Sequence, residues 1–160
     1  INLISADGRR ENKKLPYDEI MNAVKRHRSD LAHVSEPRLV DFDIWAGNIF
    51  LEERGGEYVV SGLTDFERAF FGDPYADFAA ASVQMLLSSD IAEERDFLCG
   101  YAEMCGSTPV FGKSERARIA LYKLYLSVIM NVETYRYGTL FGALMRIYSR
   151  HMIKKLLKEL

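Results

Sequence analysis

The chain has 160 residues, is 48% hydrophobic and 12% aromatic, and carries a formal charge of −2 with acidic and basic side chains interspersed. That is enough to bury a sizeable core as one domain, and it offers bulk charge to neither a nucleic acid nor a membrane surface. No stretch approaches the roughly 18 uninterrupted apolar residues of a transmembrane helix, and the amino terminus lacks a basic segment leading into an apolar core, so a soluble cytoplasmic protein is expected.

The mixed-sign run Arg9–Lys14 reads as a solvated loop. Pro16–His33 then carries Ile20, Val24, His27 and Leu31 at helical spacing, with Pro16 suited to a first turn. It leads into a short strand, Arg38–Val40. The string VDFDIWAGNIFL, Val40–Leu51, places Asp43 and Asn48 five residues apart in a loop between two apolar runs. IFLEERGGEYVVSGL, Ile49–Leu63, reads as a β-hairpin around Arg54, Gly55 and Gly56, with strands of roughly four to six residues. An acidic cluster follows in GLTDFERAFFGDP, Gly62–Pro74, where the second strand ends in Asp65, Phe66 and Glu67.

Beyond Pro74, the positions Phe78, Ala81, Met85 and Leu86 repeat with helical period, and the helix stops near Ser88 and Ser89. Asp90 with Glu93 makes a capping-box-like start for a helix through Phe97, Tyr101 and Met104, and Gly106–Gly112 is a loop. Ser114 opens the last helical part. Ala117, Leu121, Leu124, Val128 and Val132 form one stripe, and Leu140, Leu144, Ile147 and Leu156 another, with Gly138 between them. Cys99 and Cys105 lie six apart on one predicted helix, a spacing of neither a metal pair nor an i,i+4 relation; buried free thiols are expected. His27, His33 and His151 fall on predicted helices without an acidic or Cys partner at metal spacing, and read as structural or exposed.

The chemistry-bearing residues sit around the hairpin. Phosphoryl transfer needs one carboxylate to orient or deprotonate an acceptor hydroxyl, and hard oxygen ligands to hold Mg²⁺ against nucleotide phosphates. Asp43 suits the first task, and Asn48 with Asp65 the second. A neutral amide beside a single carboxylate binds the ion without making the site repel a polyphosphate. A hairpin that starts just after Asn48 and ends just before Asp65 returns the chain to its starting edge, so both ligands are expected close together.

These two strings resemble the catalytic loop and metal-binding loop of the aminoglycoside phosphotransferase and choline kinase-like family, which shares the protein-kinase fold. The family pattern is H-x-D-x-x-x-x-N, then a strand and I-D-[WF]-[EG]. Trp45 and Gly47 match the D-L-W-x-G-N variant of its fructosamine kinase-like members, and Gly72, Asp73, Pro74 and Asp77 match its G-D-P-x-x-D-[LF]-A segment. The resemblance implies an ATP- or GTP-dependent, Mg²⁺-requiring small-molecule kinase, with Asp43 catalytic and Asn48 and Asp65 holding metal and nucleotide. It also implies a small polar acceptor, amine- or sugar-containing. Where the family has His this chain has Asp41, which adds negative charge near Asp43 and Asp65 and is expected to raise a neighbour's pKa. That departure motivates the alternative reading of a kinase-like nucleotide- or ligand-binding module without turnover.

A kinase of this fold also needs an amino-terminal lobe with a phosphate-covering loop and a strand Lys, on the order of 100 residues. Only about 40 residues precede the catalytic loop, with Gly8 their single glycine and Lys13, Lys14 and Lys25 in a loop or on a helix. The expectation is therefore a mainly α fold with a small β-hairpin: the carboxy-terminal helical lobe of a kinase-like fold, without its nucleotide lobe. It divides into a lead-in helical region 1–36, the catalytic loop, hairpin and metal loop 37–78, and a helical substrate-side subdomain 79–160. By itself such a chain is expected to be inactive and to expose an apolar wall that promotes self-association.

Each residue has a plainer reading beside the functional one. Asp43, Asn48 and Asp65 are also residue types favoured in ordinary turns. Glu67 reads as a contact to a second metal or as a surface ion pair with Arg68. Asp73 suits an N-cap for the helix at Pro74, and Asp77 an anchor for loops. Trp45 reads as a substrate stack or as packing. Glu133, Tyr135 and Tyr137 offer a carboxylate and aromatic faces to an amine-bearing acceptor, or form a solvated helix end.

Overall fold

The computed structural model describes residues 15–34, 36–84 and 91–160. In chain order these form helices α1 (Tyr17–Arg26) and α2 (Arg28–Ala32), strands β1 (Arg38–Val40), β2 (Ile49–Arg54), β3 (Glu57–Leu63) and β4 (Phe70–Gly72), and helices α3 (Tyr75–Gln84), α4 (Arg95–Cys105), α5 (Lys113–Val132) and α6 (Thr139–Glu159). The fold is mainly helical with small antiparallel sheets. Two compact units divide it: the described residues up to His33 together with Ala117–Leu160, and Val34–Arg116.

In the first unit, α1 starts after Pro16, with Asp18 and Glu19 in its first turn and Lys25 and Arg26 in its last, each sign complementing the helix dipole. Its buried face, Tyr17, Ile20 and Ala23, packs with Leu15 against Leu124 and Val128 of α5 and Ile153 and Leu156 of α6. The single helix expected over Pro16–His33 is broken at His27, whose φ −98 and ψ 19 leave the α-helical region. The His27 ring lies at the joint, with Nδ1 2.8 Å from an Asp30 carboxylate oxygen and Nε2 3.0 Å from the Leu160 carbonyl oxygen. His27 is thus a structural residue at this joint, with Asp30 as its partner.

Of the stripe Leu140, Leu144, Ile147 and Leu156 only Leu156 enters the core: the other three are exposed, and α6 buries Gly142, Ser149 and Ile153 beside Leu156. Apolar periodicity mistook the face because a polar residue occupies it. The buried Ser149 hydroxyl accepts a hydrogen bond from Asn131 Nδ2 at 2.8 Å, which satisfies both groups inside the unit.

The second unit holds two two-stranded sheets where one hairpin is expected. β2 and β3 form that hairpin, closed by Gly55 and Gly56 at φ 64 and 86, the pair of left-handed positions that a tight two-residue turn demands and glycine supplies at low steric cost. The second sheet is short: β1 pairs antiparallel with β4, Val40 opposite Phe70 and Arg38 opposite Gly72.

Helix α3 follows Asp73, whose buried side chain accepts the Tyr75 N–H at 3.1 Å. It drives Phe78 into a cluster with Tyr75, Phe97, Tyr101 and Phe111, with ring centroids 4.9–5.9 Å from Phe78 and mostly edge-to-face. Met85, Leu86, Ser88, Ser89 and Asp90 lie outside the described residues. The helix expected to start from Asp90 begins only at Arg95, after a 3₁₀ turn over Ile91–Glu93 that buries Ile91, and Glu94 at its N-cap position makes no side-chain capping bond. Both cysteines of α4 are free but exposed rather than buried, because the apolar side of that helix is filled by Phe97 and Tyr101.

Candidate active site

Strand β1 ends at Val40 and delivers Asp41, Phe42 and Asp43 into a loop that turns through a 3₁₀ segment, Ala46–Asn48, straight into β2. Phe42 is buried with φ 60, a left-handed conformation that costs a bulky residue of order 1–3 kcal/mol. Asp77 of α3 holds it there: its carboxylate accepts the Phe42 N–H at 2.8 Å and the Asp41 N–H at 3.2 Å. The Phe42 ring packs edge-on against Phe70 of β4, centroids 5.8 Å apart.

Asn48 is buried, and its amide nitrogen donates to the Asp43 backbone carbonyl at 3.0 Å. With the nitrogen committed to that bond, the amide oxygen is the hard donor it presents elsewhere. The Asn48 carbonyl accepts the Thr64 N–H at 3.0 Å, so the residue before Asp65 is tied to the residue that starts the hairpin. Asp65 is exposed and left-handed, φ 66 and ψ 54, which turns the chain sharply into the 3₁₀ segment Phe66–Arg68. From that segment Arg68 reaches back, and its guanidinium stands 3.6 Å from an Asp43 carboxylate oxygen. Glu67 is exposed on the same turn.

Asp41 is 8% exposed, and neither of its buried carboxyl oxygens has a well-formed hydrogen bond. Burial pushes its pKa up, the Asp43 N–H opposes that rise, and the charges of Asp77, Asp43 and Asp65 add to it. Asp41 is thus itself a displaced group among the carboxylates of this loop. The Asp77 pKa is also raised, by burial first, with its two backbone hydrogen bonds pulling the other way. Trp45 is half-exposed, and its indole covers Gly47 so closely that a Cβ there would lie 2.4 Å from the ring.

Among the described residues no cluster of three or more His, Cys, Asp or Glu side chains is arranged to hold a metal by itself. The donor set here is one amide and one carboxylate. Such a set fits Mg²⁺ that takes its remaining oxygens from phosphates and water, and not an all-protein cage.

No family model and no curated protein sequence matches the chain. Among solved structures, a thermostable mutant of aminoglycoside phosphotransferase APH(4)-Ia in its apo form aligns with 99% of this chain at TM-score 0.53 and 15% identity. The two share a fold. The alignment takes in 52% of the phosphotransferase, so the chain spans about half the length of that protein. A mutant of APH(4)-Ia in ternary complex with AMP-PNP and hygromycin B aligns with 97% of this chain and 51% of its own at TM-score 0.49 and 14% identity. The first alignment shows that the chain has the fold of about half of APH(4)-Ia, with the geometry above on one of its two units.

Glu133, Tyr135 and Tyr137 belong to the other unit. Glu133 lies 3.5 Å from Arg136 within a 3₁₀ segment, Tyr135 and Tyr137 are exposed, and Tyr137 stacks edge-on with Phe141 at 5.3 Å. Sequence reasoning missed two members of the loop cluster. Phe42 carries no signal in the string, since its left-handed backbone is imposed by Asp77 from another element. Arg68 was visible but assigned to its neighbour Glu67, because a chain of letters favours near partners over the loop that faces it.

Proposed function

We propose that this chain is the carboxy-terminal lobe of a Mg²⁺-dependent O-phosphotransferase that moves the γ-phosphoryl group of ATP or GTP to a hydroxyl of a small polar, amine- or sugar-containing acceptor. The observation that carries it is the double tie at the mouth of the hairpin, Asn48 Nδ2 to the Asp43 carbonyl and the Thr64 N–H to the Asn48 carbonyl. It collects a candidate base and two candidate metal ligands from loops more than fifteen residues apart in the sequence.

In this reading Asp43 accepts the acceptor's hydroxyl proton, or orients that hydroxyl, as its oxygen forms the new P–O bond and the bond from the γ-phosphorus to the bridging oxygen of the nucleotide breaks. Asn48 and Asp65 would hold Mg²⁺, which would supply positive charge against the phosphates. Asp77 and Asp41 serve the loop that carries Asp43, and Asp73 caps α3. Trp45 and Glu67, on the same unit as Asp43, border the acceptor.

The hairpin supports a partner within the same protein. Leu51, Tyr58 and Val60 share one face of β2 and β3 and are 60–74% exposed, an apolar surface that an amino-terminal lobe would cover. The alignment over 52% of the apo APH(4)-Ia chain supports the reading of such a lobe in the full-length protein. The test is a titration of Mg²⁺ with ATP and with GTP into the full-length protein, with product detection over aminoglycoside, amino-sugar and choline-like acceptors. Transfer that falls by about 10²–10⁴-fold on Asp43→Asn supports the reading. Unchanged turnover in that variant refutes it, and nucleotide binding without transfer favours a binding module.

A further inference from the structure

We infer that Arg68 is a positioning residue for Asp43, a cation supplied by the metal-loop turn that fixes the orientation of the base carboxylate. The inference rests on the phosphotransferase reading and adds to it a residue that the sequence assigns to an ordinary surface pair.

Three observations carry it. Arg68 lies three residues beyond Asp65, on the 3₁₀ segment that begins as soon as the left-handed Asp65 has turned the chain. Its guanidinium approaches Asp43 to 3.6 Å, with side-chain exposures of only 20% and 13% for the two residues. A pair so sheltered is screened far less than the exposed ion pairs of this chain, such as Arg54 with Glu52 at 66% and 53%. The charges of Asp77, Asp43 and Asp65 all act on Asp41, so the loop that bears Asp43 is rich in negative charge. A cation held beside Asp43 offsets that charge.

The distance itself assigns the role. At 3.6 Å the contact is longer than a hydrogen bond, so Arg68 acts on Asp43 through charge and not through a bidentate clamp. A base held this way keeps its orientation while its oxygens stay turned toward an acceptor hydroxyl. Because the cation comes from the turn that also bears Asp65, one short segment sets both the metal ligand and the base. Reacting atoms are then brought into register by a single piece of backbone.

Steady-state kinetics on the full-length protein test this with Arg68→Gln, Arg68→Lys and the surface control Lys155→Gln. Misplacement of the base predicts a loss in kcat of about 10–100-fold for Arg68→Gln, KM values for nucleotide and acceptor within about threefold, and partial recovery in Arg68→Lys. Circular dichroism checks that each variant is folded. A double-mutant cycle on urea midpoints with Asp43→Asn reads the pair independently of turnover and should give non-additive changes. Unchanged kcat in Arg68→Gln, with the wild type active, overturns the inference and leaves the phosphotransferase reading standing. A rise in KM at constant kcat also overturns it, since Arg68 would then contact a substrate. A wild type that phosphorylates no acceptor, with additive midpoints, removes both; no turnover with non-additive midpoints removes the catalytic role and keeps the ion pair as architecture.

Discussion

Asp77 accepts the Phe42 N–H at 2.8 Å and thereby holds, from the first turns of α3, the left-handed residue that immediately precedes Asp43. The strain at Phe42 is local and its compensation is remote. Removing the carboxylate leaves two backbone donors without an acceptor and releases the bend. Asp77→Ala is expected to destabilise the chain by about 1–3 kcal/mol, read as a lower urea midpoint, and to lower turnover of the full-length protein.

Asp41 gives a pH signature with a definite sign. Its folded pKa lies above the ordinary value of 3.8, chiefly because of burial, so the folded chain binds its proton more tightly than the unfolded chain does. The stabilisation is complete below the unfolded value and is lost as pH rises through the folded one. Asp77 shifts in the same direction and adds to the loss. Asp41→Asn cannot ionise, so its stability relative to the wild type should grow as pH is raised from below 3.8 to neutrality, measured by urea denaturation across that range. A difference that stays flat with pH would contradict the assignment.

The proposed metal ligands are expected to separate from the proposed base in a Mg²⁺ titration. Asn48→Ala and Asp65→Asn are expected to raise the Mg²⁺ concentration needed for nucleotide binding by the full-length protein, on the order of tenfold or more, whereas Asp43→Asn should leave it nearly unchanged. Calorimetry at fixed nucleotide reads both. Equal effects of all three variants would argue against the division of roles.

Phe78 anchors the aromatic cluster beneath the same loops, buried to 1% exposure. Phe78→Ala should cost about 3–5 kcal/mol, and Phe78→Leu clearly less, because the smaller change leaves less empty volume. Thermal or urea unfolding of the chain measures this without any assay of function.

What the sequence revealed and what it hid divide along physical lines. The hairpin was legible because Gly55 and Gly56 can supply two left-handed residues in a row between apolar runs, a purely local requirement. Helices α5 and α6 were legible from period alone. The break at His27 was not, since it depends on Asp30 and the distant Leu160 carbonyl, nor was the buried face of α6, which is selected by the Ser149–Asn131 bond. Strand β4 escaped notice because three residues make a strand only when β1 lies beside them. In the loop cluster the residue types of Asp43, Asn48 and Asp65 were readable, while the groups that orient them, Asp77 upon Phe42 and Arg68 upon Asp43, act across elements and leave no mark on spacing.

The pairing of β1 with β4 makes the stretch from Arg38 to Gly72 begin and end side by side. Asp43, Asn48 and Asp65 lie near that closure and near the base of the hairpin, whereas the Gly55–Gly56 tip meets nothing within 4 Å of where a Cβ would stand. Insertions at the tip would cost only the slow, logarithmic entropy of a longer loop and would leave the strand register at the base intact. The hairpin tip is thus where length variation should gather before it touches the loops below.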